Sequence, residues 1–346
     1  MTPNTLPPPA KTPRRRWKIL LGFAVSLVFI ALALHNVDFH KLLAVFRRLH
    51  YGWLLGATAF ILLSYLIRSL IWRDLLSAYR PTRPWNLFRI ITIGYFANNI
   101  LPLKIGELIR AWLLGRRENL PTSLALGTVV MERGLDLFAL LFYFTLMMLL
   151  VPYAPWLKLS GSILAGLAFI LFAAISLNYL FGGRFITLLE RPLRKLPGSM
   201  GQWLHVQLRK FSDGLKLVRS PLQLLRLAGM SLLTWLCWMT VTYACFLATG
   251  LKLSFLAAIF LIVVLNFGLM IPSSPGGLGI FEFMVILALR PYGVSKEAAL
   301  GVGFTFHMLQ YLLTMVLGWI FTLQFNVSMV SVYRHPEQSL EEVAAK

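Results

Sequence analysis

Asn98-Asn99-Ile100-Leu101-Pro102-Leu103-Lys104-Ile105-Gly106-Glu107-Leu108-Ile109-Arg110 places two asparagines, a helix-breaking proline, a glycine and three charged residues inside an apolar region. Hydrocarbon offers no water to a freed backbone group or an ion, so such a stretch must face protein or a wet cavity. A second stretch repeats the pattern late in the chain: Asn266, then Pro272-Ser273-Ser274-Pro275-Gly276-Gly277-Leu278-Gly279-Ile280-Phe281-Glu282. Pro102 precedes Gly106 by four residues, and Pro275 precedes Gly279 by four. The two stretches read as paired breaks in membrane helices.

The composition sets the solvent. Of 346 residues, 58% are hydrophobic and only 13% charged, with a mean hydropathy of +0.72. A soluble domain carries about a quarter charged residues, so the chain reads as an all-α integral membrane protein. The net charge of +20 is assigned to membrane orientation and anionic lipid rather than to nucleic acid. Cys237 and Cys245 fall in one apolar helix, about 12 Å apart at a rise of about 1.5 Å per residue. That separation is too great for a disulfide, and both read as buried apolar residues. No Cys/His set has metal-ligand spacing, so neither a metal nor a cofactor is expected.

Outward from the breaks, hydropathy predicts six full spans, at 17–34, 51–78, 123–151, 159–181, 222–249 and 296–325. The apolar segments 87–101 and 103–117, and then 255–271 and 276–289, fall short of the roughly 20 residues a crossing takes. They are expected to form two re-entrant hairpins. Residues 1–16 read as a disordered basic tail, 39–50 as an interfacial helix, 182–221 as an amphipathic linker and 329–346 as a polar tail. The single membrane domain is expected over 17–328.

With the N-terminus inside, the basic loops at 80–89, 116–118 and 182–221 also fall inside, as the positive-inside rule requires. The loop at 35–50 is the exception, carrying Lys41, Arg47 and Arg48 outside. Both termini are expected to be cytoplasmic. The order span, hairpin, span occurs at 51–151 and again at 222–325, in opposite senses. That is an inverted-topology repeat, the plan of many secondary transporters, whose site lies at the breaks near the midplane.

Several residues then carry a functional reading beside a structural one. Glu107 and Arg110 share a helix face, with Lys104 one turn earlier. Lys104 and Arg110 are candidates to hold a phosphate while Glu107 orients Arg110; a structural ion pair near the surface is the alternative. Glu132, Arg133 and Asp136 lie within one long apolar helix and need partners, which the first hairpin is expected to supply. They form either a polar pocket or a lock between hairpin and helix. Gly276, Gly277 and Gly279 permit positive φ, and half-helix starts after Pro275 expose amides suited to a phosphate. Glu282 is the lone acid there, with a helix cap as the alternative. Asn98, Asn99 and Asn266 mark the breaks. Arg68, His307 and Gln310 are weaker candidates, since a lone membrane histidine is more often a helix–helix contact. No pattern for nucleophilic catalysis, metal-assisted hydrolysis or a phosphate-binding glycine loop is present.

Taken in order, the motif 98–110, then Glu132-Arg133 with Asp136, then Pro275-Gly276-Gly277-Leu278-Gly279 with Glu282 resemble the lysylphosphatidylglycerol synthase transmembrane-region family. This is the flippase-like module of bacterial multiple peptide resistance factor. The resemblance covers about residues 17 to 328. It implies a polytopic inner-membrane protein associated with moving lipids between leaflets. In two-part relatives a soluble domain adds an amino acid to phosphatidylglycerol; only a short tail follows the last span here, so aminoacyl transfer is not expected. The expected function is translocation of a phospholipid or other anionic lipid, with isoprenoid-linked lipids among the candidates. The alternatives are an intramembrane enzyme using Glu132 or Asp136 as acid or base, or an accessory or scaffold for a partner enzyme of lipid modification.

Overall fold

The computed structural model describes residues 13–77, 79–101, 105–150, 218–271 and 273–327. Among these residues the fold is all-α. The helices are α1 (Pro13–Leu34), α2 (Phe39–Arg47), α3 (Tyr51–Leu76), α4 (Pro84–Ile100), α5 (Gly106–Glu118), α6 (Thr122–Leu150), α7 (Pro221–Ala248), α8 (Phe255–Gly268), α9 (Ile280–Leu289) and α10 (Lys296–Gln324). Five of the six expected spans are present as helices. The fourth, at 159–181, lies outside the described residues, as do residues 1–12, the C-terminal tail and nearly all of the 182–221 linker; residues 13–16 of the expected disordered tail are instead the start of α1. Helices α3, α7 and α10 are each long and apolar enough to cross a membrane. Helices α1 and α2 meet the same criterion as a pair bent by 87°. Helix α6 has 29 residues but carries Glu132, Arg133 and Asp136.

Local chemistry sets the boundaries. Asp38 caps α2, accepting from the amides of His40 and Lys41. Ser220, Ser254 and Ser295 cap α7, α8 and α10 in the same way, satisfying amides that have no partner within the helix. Pro84 and Pro221 occupy first turns, where a missing N–H costs nothing. Asn119, at φ 50°, stops α5.

The two spans that open the expected repeats lie side by side and run antiparallel. Asp74 at the end of α3 pairs with Arg226 near the start of α7, at 2.5 and 2.8 Å. Midway, the Tyr65 ring lies 6.4 Å from Trp238. At the other end the His50 amide donates to the Ala248 carbonyl at 2.9 Å. This contact runs the length of both helices.

The antiparallel pair gives the bundle two ends. At the near end α3 stops, α4 starts, α5 stops and α6 starts; Arg80 donates to the Glu118 carbonyl there at 2.9 Å. At the far end α7 stops and α10 starts, with Lys296 bonded to the carbonyls of Leu32 and His35 at 3.0 and 2.5 Å. The α4–α5 hairpin therefore enters and leaves at the near end, and α8–α9 at the far end. Each hairpin also crosses to the other half: α4 packs on α10 and α8 on α6. Phe96 seats against Gly318, where a Cβ would lie 2.2 Å away, and Phe88 meets Phe321 at 6.0 Å.

The outward faces stay apolar. Leu27, Leu55, Leu225, Leu312 and Trp319 are all exposed. Such a belt is a lipid-facing surface rather than a water-facing one.

Candidate functional site

The tips of the two hairpins meet halfway down the bundle. The turn Pro275–Gly277 packs against the end of α4, and a Cβ on Gly276 would lie 3.9 Å from the Asn99 carbonyl and 3.2 Å from the Tyr311 ring. Gly276, Gly277 and Gly279 have φ of 72°, 73° and 87°, the left-handed backbone that only glycine adopts freely. At the first break the Asn98 side chain accepts from the Gly106 amide at 2.8 Å, closing the turn and capping α5. The Asn99 side-chain nitrogen is buried without a hydrogen-bond partner among the described residues. Pro102, Lys104 and Pro272 lie outside the described residues.

Beside the first break sits a charge cluster drawn from α3, α5 and α6. Arg68 forks onto Asp136 at 2.9 and 3.1 Å and also bonds Glu132. Arg110 reaches Glu132 at 3.2 Å, and Arg133 reaches Glu132 at 2.7 Å and Asp136 at 3.1 Å. Trp72 donates to Glu132 at 2.6 Å and Trp235 to Asp136 at 3.0 Å. Arg68, Arg110, Glu132 and Asp136 are buried. Arg133 and Glu107 are 43% and 32% exposed and stand 3.8 Å apart.

Close backbone approach makes room for Arg110. A Cβ on Gly94 would lie 2.0 Å from the Arg110 Cγ, and one on Gly106 would lie 2.1 Å from the Gly94 carbonyl oxygen. The Arg110 guanidinium lies between the faces of Trp72 and Tyr95, at 5.3 and 5.5 Å. Its Nε and Nη2 have no hydrogen-bond partner among the described residues.

Two expectations change. Glu107 and Arg110 do not pair: Arg110 turns inward to Glu132 and Glu107 outward to Arg133. The hairpin also does not supply the α6 charges alone, because Arg68 of α3 takes both carboxylates. Arg68 is thus central to the cluster, and Trp72, Trp235 and Tyr95 are members the sequence did not single out.

The second break carries its own buried pair. Glu282 accepts from the Gly279 amide at 2.7 Å, capping α9, and its other oxygen lies 2.7 Å from His307 Nδ1. His307 Nε2 lies 3.1 Å from the Gly276 carbonyl. Phe281 stacks on the imidazole at 4.3 Å. Helix α1 closes the site: Ser26 bonds both the hydroxyl and the amide of Ser274, at 2.8 and 2.9 Å. Asn266 and Gln310 stay out of this pair. Asn266 bonds its own helix at the Ile262 carbonyl, at 2.8 Å, and Gln310 lies by the Tyr65 hydroxyl.

This architecture, a bundle of apolar helices holding two broken hairpins tip to tip around buried ions, is that of a polytopic membrane protein. The lysylphosphatidylglycerol synthase TM region model matches residues 19–318. The chain belongs to that family. It is similar to a UPF0104 membrane protein of Methanocaldococcus jannaschii, with 28% identity over 65% of this chain and 92% of the relative. A second UPF0104 membrane protein of that organism is 22% identical over 86% of this chain and 91% of the relative. One from Methanothermobacter thermautotrophicus is 26% identical over 74% and 78%. The family links this membrane protein to lipid metabolism or transport.

Proposed function

We propose that the protein is a lipid translocase of the inner membrane, carrying the headgroup of an anionic lipid past the two hairpin tips while the acyl chains stay in the bilayer. The carrying observation is the tip-to-tip meeting of hairpins that enter from opposite ends, next to cations with unused donors. Among the described residues the Arg110 Nε and Nη2 have no partner, and Arg133 is exposed at the rim of the cluster. Both suit a phosphodiester, which accepts several charge-assisted hydrogen bonds. Lys104 would join them, while Glu107 and Glu282 balance charge. The antiparallel first spans support an inverted repeat with halves at 51–151 and 222–325, working by rocking of one half against the other. Both termini would face the cytoplasm, and an enzyme that modifies the lipid would be the natural partner.

Acid–base catalysis is the weaker reading. Glu132 and Asp136 each accept from two arginines or more and from a tryptophan. Carboxylates so engaged have no proton to give and few lone pairs to take one.

The test is translocation in proteoliposomes, with a panel of fluorescent phospholipids and an isoprenoid-linked sugar. Wild-type protein should move at least one lipid class, and Arg133→Gln and Arg110→Ala variants that remain folded should lose that movement. Intact wild-type protein that moves none of them would overturn the proposal.

A further inference from the structure

His307 faces an acceptor on each side of its ring. The Gly276 carbonyl can only accept, so bonding it at 3.1 Å takes a hydrogen on Nε2. Nδ1 lies 2.7 Å from the Glu282 oxygen, and at that distance a hydrogen must stand between them. Imidazolium with carboxylate, or imidazole with carboxylic acid, both meet the requirement. Both hold the same single proton beyond a neutral imidazole and a carboxylate. A second added proton fits poorly, because the other Glu282 oxygen already accepts from the Gly279 amide at 2.7 Å.

The neighbours leave this proton to the pair. Among the described residues, His307 is the only ion-pair partner of Glu282. On α10, Tyr311 meets the ring edge-on at 6.1 Å. Helix α1 offers the uncharged Ser26 to Ser274. The end of α4 offers the Asn99 carbonyl, and α8 packs Gly268 on Met284. The first half fastens its hairpin in the equivalent place, the second arm of α4–α5 to the next span, by Arg110 and Glu132. A guanidinium keeps its proton at any working pH. Of two corresponding latches, one is permanent and one depends on a proton.

We infer that Glu282 and His307 form a proton-binding site that latches the second hairpin to α10, and that the hairpin leaves α10 by releasing this proton. Opening transfers one proton from the pair to water at the far end, leaving Glu282 anionic and His307 neutral. Without the proton the imidazole has one hydrogen for two acceptors, so a ring lone pair faces either the Glu282 oxygen at 2.7 Å or the Gly276 carbonyl at 3.1 Å, and the deprotonated latch loses one of its two bonds. Resting on the translocase reading, the inference names the proton as the coupling ion.

Hairpin opening is read without any lipid by alkylation of an Ile280→Cys probe, which starts α9 and is fully buried. The protein is held in nanodiscs with Cys237→Ala and Cys245→Ala. With the rate corrected for ionisation of the probe thiol by a freely exposed reference cysteine, release of one proton requires labelling to rise by up to about tenfold per pH unit over the range in which the closed pair holds the proton and the open pair does not. In Glu282→Gln the amide can donate to a neutral imidazole, so labelling should be slow and flat with pH. His307→Gln should also flatten it and serves if the first variant does not fold. In proteoliposomes, pH gradients of opposite sign should drive lipid in opposite directions. Flat labelling in the probe protein overturns the inference, as does lipid movement indifferent to the gradient, and either leaves the translocase reading standing. Proton-dependent labelling without movement of any lipid keeps the latch and overturns the translocase reading.

Discussion

Glu132 accepts from Arg68, Trp72, Arg110 and Arg133, so one carboxylate ties α3, α5 and α6 together. Removing its charge leaves the buried Arg110 without a carboxylate and Arg68 and Arg133 with Asp136 alone among the cluster's buried acids. Breaking a buried pair in this way costs about 3–5 kcal/mol. Glu132→Gln should therefore lower thermal stability in detergent far more than Arg133→Gln, because Arg133 is 43% exposed and exposed pairs contribute only about 0–1 kcal/mol. Translocation should fail in both. A melting series alongside the lipid assay checks this, and equal destabilisation would show Arg133 to be a structural member. The α6 charges are legible in sequence because ions in an apolar helix stand out and their spacing puts Glu132 and Asp136 on one face. Arg68 stands out in the same way as a charge in an apolar span, but its partner Asp136, 68 residues away, does not follow from sequence, and nothing local marks Trp235, 99 residues from Asp136. The outward turn of Glu107 was equally hidden, because helix spacing fixes a shared face but not which neighbour wins.

Helices are the scale at which sequence speaks most clearly here. Apolar runs bounded by Pro84, Asn119, Ser220 and Ser254 give their extents within a few residues, because capping is local chemistry. Interhelix distance is not local, and α5 shows the consequence. A Cβ on Gly106 would lie 2.1 Å from the Gly94 carbonyl oxygen and 2.5 Å from the Asn98 side-chain oxygen. Backbone cannot move aside as a side chain can, so Gly106→Ala should force α5 off α4 and cost about 1–3 kcal/mol. Gly268→Ala meets only the flexible Met284 side chain, at 2.3 Å, and should be milder; melting temperatures of the two variants decide it. At the far end, Asp38 caps α2, and hydrogen bonds from the Lys41 and His40 amides hold its carboxyl below the usual value of 3.8. A carboxyl lowered by folding stabilises the helix above that value and loses its effect as pH falls through the lowered one. Amide exchange in α2 should accelerate on acidification, while Asp38→Ala should exchange fast throughout.

At the scale of the molecule, the antiparallel contact of α3 and α7 decides which way each hairpin points. If Asp74 meets Arg226 at one end and His50 meets Ala248 at the other, the segment after α3 and the segment after α7 must emerge at opposite ends. The sequence implied this through charge sidedness, but Lys41, Arg47 and Arg48 blurred the count; the packing does not depend on that count. Sequence also could not show that the two breaks touch, because the meeting of Asn99 with Gly276 depends on how deep each hairpin reaches. Arg83 precedes α4 and Lys252 precedes α8, and both are exposed. Arg83→Cys and Lys252→Cys should therefore be labelled by a membrane-impermeant thiol reagent from opposite sides in vesicles of known orientation. Native Cys237 and Cys245 are buried, so background labelling should be low. Arg83→Cys is expected to react from the cytoplasmic side, because its loop also carries Arg80 and lies next to Arg116 and Arg117 at the near end. Labelling of both positions from one side would mean that the hairpins enter together. No rocking motion could then expose the meeting point of their tips to each leaflet in turn, and the translocase mechanism would lose its geometric basis.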